Sequence, residues 1–160
     1  MSTDLDTLDL KILALLQRDA SLTTRELAER AGVSLSPCWR HIQHLRDEGY
    51  IRSSIAVVDR HKLGFLVLVF AQVKIGRLTQ AAHENLVKEI VRTPEILECY
   101  TILGETGLML KVVAPSVDAY EKVLLSRIAC LPGVQDVRST VTLLDIKSTT
   151  AVPLNERRLR

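Results

Sequence analysis

Two helical patterns separated by a very short turn lie between Thr23 and Leu45, and this spacing restricts the fold more than any other feature of the chain. Thr23, with Glu26 three residues later, has the form of a capping box, in which each side chain satisfies a free backbone amide at the start of a helix. Gly32 suits the end of that helix because glycine readily adopts the left-handed conformation common there. After the turn GVSLS, a second apolar stripe is formed by Cys38, Ile42 and Leu45. Helices joined this tightly cross at a steep angle, which predicts a helix-turn-helix.

A further helix is predicted upstream of this pair. Its apolar side chains recur at helical spacing, at Leu8, Ile12, Leu15 and Leu16. This first helix ends near Arg18. Ser34 or Ser36 is expected to cap the third helix, with Pro37 in its first turn, where the missing amide costs no hydrogen bond.

The outward face of the third helix carries side chains that suit DNA recognition. A structural helix usually fills such a face with glutamate, lysine and alanine, whereas this face offers an indole and donors that can reach phosphates or base edges. The predicted DNA-binding residues are Ser34, Ser36, Pro37, Trp39, Arg40, Gln43 and His44. The alternative is that Trp39 packs against the first helix and that the polar side chains are only solvated.

The second half of the chain alternates between strand and helix patterns. After an extended segment near residues 51–58, interpreted as a wing or hinge strand, the order is strand, helix, strand, strand, helix, strand. This order predicts a split βαβ, ferredoxin-like sandwich with both helices on one face of a four-stranded sheet. The fold class is therefore α+β. The uncovered face of the sheet favours a homodimer.

These patterns divide the chain into predicted domains. Residues 1–53 form the winged helix-turn-helix unit, and residues 54–64 form a hinge strand or linker. Residues 65–152 form the ferredoxin-like domain, and residues 153–160 form a C-terminal tail.

Composition argues against several other classes of protein. The chain lacks the apolar run of roughly 18 residues that a membrane helix needs, and its acidic start is unlike a secretory signal, so we expect a cytoplasmic protein with no membrane partner. The net charge of +2 is too small to indicate a nucleic-acid partner by itself. Cys38, Cys99 and Cys130 are odd in number and far apart, which favours buried free thiols over disulfides or a zinc site.

Catalytic and metal-binding patterns are not evident in the sequence. His61 and His83 stand alone, and His41 and His44 have no third metal ligand nearby. The turn GETG lacks the glycine spacing and the lysine of a phosphate-binding loop. We therefore predict no catalytic residue, no metal site and no cofactor, and expect that the protein is not an enzyme.

Several stretches together resemble the leucine-responsive and AsnC-type (Lrp/AsnC, feast/famine) family of transcription regulators. They are LDTLDLKILALLQRD, LAERAGVSLSPCWRHIQHLRDEGYI, ECYTILGETGLMLKVV, LPGVQDVRST and DIKSTTAVPL, and they span nearly the whole chain. The resemblance implies an N-terminal winged helix-turn-helix that reads double-stranded DNA over residues about 24–43. It also implies a C-terminal domain that binds an amino acid or a similar small molecule, and dimers that assemble further, often into octamers.

The sequence departs from the family pattern at two places. The family usually has arginine at His41 and His44 and glutamate at Arg46. Its mid-domain turn usually carries an aspartate that helps hold the ligand, at the position where this chain has Gly107. The candidate effector-binding residues are Gly104, Glu105, Thr106 and Gly107.

The sequence thus predicts a DNA-binding transcription regulator that responds to an amino acid or related molecule. The competing interpretation is a ferredoxin-like dimeric small-molecule-binding protein or enzyme with a vestigial N-terminal domain. The capped helices and the polar outer face of the third helix favour the regulator.

Overall fold

The computed structural model describes residues 5–103 and 107–154, which fall into two units. The first unit contains the chain up to Val57 together with the segment from Lys147 onward, and the second contains Val58–Ile146. In this division residues 147–152, which the predicted C-terminal domain includes, belong to the first unit. The chain therefore connects the two units twice.

Three helices form most of the first unit: α1 (Thr7–Arg18), α2 (Thr24–Ala31) and α3 (Leu35–Asp47). They enclose one apolar core, whose buried members are Ile12, Leu13, Leu27, Ala28, Cys38, Ile42 and Leu45. The stripe predicted for the third helix is confirmed, because all three of its apolar residues belong to this core.

The segment after Lys147 docks on α1 through a side-chain amide. Gln17 Nε2 donates to the Val152 carbonyl at 3.1 Å, and the Val152 backbone amide donates to Gln17 Oε1 at 2.6 Å. Leu154 packs against the same apolar core as the three helices. We call residues 147–154 the return segment.

The second unit is built on a four-stranded antiparallel sheet. Its strands are β1 (Val67–Ile75), β2 (Ile96–Thr101), β3 (Gly107–Ala114) and β4 (Val134–Val141), in the spatial order β2-β3-β1-β4. The helices are α4 (Gln80–Arg92) and α5 (Val117–Val123), and a π-helical turn over Leu124–Ile128 continues α5. This order of elements, with its antiparallel pairing, confirms the predicted α+β, βαββαβ fold.

Alternation along the strands separates a buried face of the sheet from an open one. Val69, Ala71 and Val73 of β1 point into a core that also contains Leu86 and Ile90 of α4. Phe70 and Lys74 alternate with these residues along β1 and are exposed. The same core contains Tyr120 of α5, so both helices cover one face of the sheet.

Two predictions about local structure are corrected. No strand is assigned within residues 51–66, and Ile55, Val57 and Val58 are exposed. A strand is held by backbone hydrogen bonds to a neighbouring strand. None of the strands that the structure describes pairs with this segment. The cysteines are free, but only Cys38 is buried, since Cys99 and Cys130 are exposed.

Candidate nucleic-acid interface

The position of α3 is set by the way α2 begins and ends. The backbone amide of Thr23 donates to Glu26 Oε2 at 2.7 Å, and the amide of Glu26 donates to Thr23 Oγ1 at 3.3 Å, which confirms the capping box. The backbone amide and the hydroxyl of Thr23 both donate to the Glu26 carboxylate and hold its pKa below the usual value. At the other end, Gly32 has φ +76° and ends the helix in the left-handed conformation.

A lysine of the first helix also caps α2. Lys11 Nζ donates to the carbonyl of Ala31 at 2.7 Å, where a helix terminus leaves acceptors without a partner. The amide of Val33 donates to the carbonyl of Ala28 at 3.0 Å and closes the turn toward α3. The turn before the third helix is thus held by backbone and side-chain bonds.

Ser34 is the N-cap residue of α3, with extended backbone angles and no side-chain hydrogen bond to the helix start. Ser36 and Pro37 follow inside the first turn. The hydroxyl of Ser34 is exposed and stands at the positive end of the helix dipole, where a phosphate is favourably placed.

The outer face of α3 is accessible along its length. Ser34, Ser36, Trp39, Arg40 and His44 are exposed, whereas Pro37 and Gln43 are partly buried. Trp39 is 54% exposed. This exposure disfavours the alternative in which the indole packs into the helical unit.

His41 differs from the other polar residues of this helix because its ring faces α1. His41 Nδ1 lies 2.8 Å from Oδ1 of the buried Asp9 and 3.9 Å from Oδ2 of Asp6. Sequence reasoning missed this contact. Asp9 lies 32 positions earlier, and no local pattern connects the two residues.

In the described part of the chain, one group of possible metal ligands is present, and it consists of Asp6, Asp9 and His41. Their ligand atoms lie within 4.8 Å of one another. However, the carboxylates of Asp6 and Asp9 already accept from each other's backbone amides as a capping box of α1. The imidazole contact completes this hydrogen-bonded arrangement, which accounts for the cluster without an ion.

In the second unit, the candidate effector turn is only partly described. Gly104, Glu105 and Thr106 lie outside the described residues. Gly107 begins β3 opposite Lys74 with φ +89°, and its carbonyl accepts from the amide of Ile102 at 2.9 Å. Most side chains are strained at such a positive φ. The glycine therefore suits this turn, and it provides no carboxylate for a ligand.

No helix in the described ranges combines the length and apolar character needed to cross a membrane.

Comparison with known proteins supports both halves of the structure. The family profile of a winged helix-turn-helix DNA-binding domain matches residues 5–52, and that of the Lrp/AsnC ligand binding domain matches residues 68–152. The Bkd operon transcriptional regulator of Pseudomonas aeruginosa is 33% identical over 151 residues, which cover 94% of this chain and 99% of that protein.

Solved structures give the same result. A transcriptional regulator of Neisseria meningitidis in complex with L-Met superposes with a TM-score of 0.90 at 35% identity, covering 96% of this chain and 99% of that one. An AsnC family transcriptional regulator from Agrobacterium tumefaciens gives a TM-score of 0.89 at 34% identity, covering 94% and 97%. The chain therefore belongs to the Lrp/AsnC family of transcription regulators.

Proposed function

We propose that this regulator reads double-stranded DNA by placing the outer face of α3 in the major groove. The observation that carries the proposal is the exposed row of Ser36, Trp39, Arg40 and His44 on a helix whose opposite face is fully buried. An α-helix fits the major groove, where each base pair presents a distinct pattern of donors and acceptors. The relatives are transcription regulators, which favours this role over that of a small enzyme.

The side chains suggest separate roles at the interface. Arg40 suits the two acceptors on a guanine edge, and Gln43 suits an adenine edge, because both side chains can form paired hydrogen bonds. Ser34 and Ser36 at the start of the helix suit backbone phosphates. His44, one turn after Arg40, suits a phosphate or a base edge.

The test is to select bound fragments from genomic DNA with the purified protein and then to measure variants on the selected fragment. Arg40→Ala should weaken specific binding by about 1–3 kcal/mol if Arg40 reads a base. Arg92→Ala, on the exposed surface of α4 in the other unit, is the matched control and should leave binding unchanged. Unchanged affinity after combined alanine replacement of Ser36, Arg40 and Gln43 would contradict the reading role of α3.

We also propose that an amino acid regulates the protein through the turn that contains residues 104–107. The L-Met complex of the Neisseria regulator supports this class of effector. A ligand ammonium needs a carboxylate, and with Gly107 at the usual aspartate position the acceptor in this turn is Glu105. The amides of Thr106 and Gly107 are suitable donors for the ligand carboxylate.

Calorimetry with the twenty amino acids tests the effector site. We expect a weakened or altered response relative to a site with the family aspartate, since a missing charge-assisted partner costs about 1.5–3 kcal/mol. Glu105→Ala should abolish whatever binding is found. Tight binding that survives this change would refute the assigned role of Glu105, and no binding at all would favour a regulator controlled by assembly alone.

A homodimer formed through the open face of the sheet is the proposed unit of assembly. Phe70 is 39% exposed and Tyr100 55% exposed, and apolar surface of this kind is stabilised when a second copy covers it. Larger assemblies such as an octamer would build on this dimer. Light scattering of wild type and of Phe70→Lys tests the proposal, because a charge on the buried face of a dimer should shift the protein toward monomer.

A further inference from the structure

One partly buried polar contact joins the proposed reading helix to α1. His41 Nδ1 lies 2.8 Å from Asp9 Oδ1, and the side chain of Asp9 is only 4% exposed. The contact joins two different helices, so it constrains how they pack. The proposed DNA contacts do not use it.

The carboxylate that His41 meets is itself held in place. Asp9 Oδ2 accepts from the backbone amide of Asp6 at 3.0 Å, and the amide of Asp9 donates to Asp6 Oδ1 at 2.8 Å. An ionised carboxylate can only accept, so Nδ1 of the imidazole carries the hydrogen. The start of α1 therefore presents an acceptor in a fixed direction.

The other contacts between α3 and the unit are mainly apolar. Cys38, Ile42 and Leu45 pack in the core, and apolar burial has no preferred direction. A hydrogen bond, in contrast, weakens steeply away from its preferred distance and angle. Neighbouring residues of a helix are about 100° apart around its axis, so fixing His41 also fixes where the adjacent Arg40 points.

We infer that His41 is a positioning residue for DNA reading: its Nδ1 bond to Asp9 sets the rotation of α3 and hence the direction of Arg40 and Gln43. The inference rests on the proposed reading role of α3. It gives His41 a different task from His44, whose exposed side chain lies on the outer face of the same helix.

A matched pair of substitutions tests the inference. In His41→Asn the side-chain amide nitrogen takes roughly the place of Nδ1 and can still donate to Asp9. In His41→Gln the amide nitrogen takes roughly the place of Nε2, which points away from Asp9. Both variants are neutral and polar, so they differ mainly in where the donor stands.

Each variant is measured on the selected genomic fragment and on unrelated DNA of equal length at the same salt concentration. We expect the asparagine variant to stay within about twofold of wild type, and the glutamine variant to lose about tenfold in affinity for the selected fragment alone. Partial unfolding of a variant would lower its apparent affinities for the selected fragment and for unrelated DNA by the same factor, because it reduces the active fraction of the sample. The ratio of the two affinities therefore reports positioning separately from folding.

Other outcomes overturn the inference. Equal behaviour of the two variants would show that the Nδ1 bond does not direct reading. Weaker binding to both DNAs with a shallower salt dependence would make His41 a phosphate contact instead. If wild type shows no preference for the selected fragment and Arg40→Ala changes nothing, the proposed reading role of α3 has failed, which is distinct from a failure of the His41 contact.

Discussion

At the residue scale, His41 and His44 show how environment separates two identical side chains. The sequence places them three residues apart on a polar helix, at positions where the family usually has arginine. In the structure His41 contacts Asp9, whereas His44 is exposed on the outer face. The exposed ring of His44 is therefore the one suited to the proposed DNA contact.

We therefore expect His44→Ala to weaken DNA binding, because the exposed ring can donate a hydrogen bond to a phosphate. His44→Gln keeps a donor and should bind more tightly than the alanine variant. The measurement is an affinity titration with the selected fragment at fixed salt. Equal affinity of wild type and the alanine variant would remove His44 from the explanation.

At the scale of elements, local sequence signals gave most of the helices and strands. The predicted cap at Thr23 is present, and Ser116 caps α5 in the same way, since each side-chain oxygen accepts from the backbone amide three residues later. The sequence from Val134 to Lys147 is typical of one continuous strand, but β4 ends at Val141. Beyond that point the chain leaves the β1 ladder, and the apolar character of residues 142–146 does not reveal where pairing stops.

The capping box of α2 supports a direct stability test. Thr23→Ala removes the oxygen that accepts from the amide of Glu26, and loss of an N-cap costs about 0.5–2 kcal/mol. Thr23→Ser keeps the oxygen and serves as the control. Chemical denaturation followed by circular dichroism should show a lower free energy of unfolding for the alanine variant alone. Identical losses in both variants would show that the methyl group of Thr23, rather than its oxygen, stabilises the unit.

At the scale of the whole molecule, contacts between distant parts of the sequence close each unit. In the second unit Arg60 donates to Asp145 Oδ2 at 2.8 Å and to the Phe65 carbonyl at 2.9 Å. In the first unit the return segment reaches α1 from the other end of the chain. Arg60 and Asp145 lie near the two ends of the second unit, so their bond joins those ends.

The Arg60–Asp145 pair predicts a pH dependence of stability. The bond and charge of Arg60 hold the pKa of the Asp145 carboxyl below its usual value. A lowered folded-state pKa adds stability above the unfolded value of about 3.9, and this stability is lost as the pH falls through the folded pKa. Below about pH 5, denaturant titrations of Asp145→Asn should show an unfolding free energy that decreases less steeply with falling pH than in wild type. Arg60→Gln should show a similarly shallow decrease, and an unchanged slope in both variants would contradict the pairing.

The return segment predicts the effect of a truncation. Ending the chain after Thr149 removes both hydrogen bonds to Gln17 and the packing of Leu154, which should destabilise the N-terminal unit by about 1–3 kcal/mol. Ending it after Leu154 keeps these contacts and is the control. Hydrogen exchange of the α1 amides should become faster only in the shorter chain. Equal exchange in the two truncated chains would mean that the segment does not stabilise α1.

The sequence by itself determined the features that depend on near neighbours: helical stripes, capping residues, the tight turn before α3 and the order of elements in the second unit. Its resemblance to the Lrp/AsnC family was confirmed by comparison. Only the tertiary structure decided which polar groups far apart in the sequence meet. The partners His41 and Asp9, Arg60 and Asp145, and Gln17 and Val152 are separated by 32, 85 and 135 residues. Periodicity and capping signals act over a few residues, so contacts at these separations arise only when packing brings the elements together.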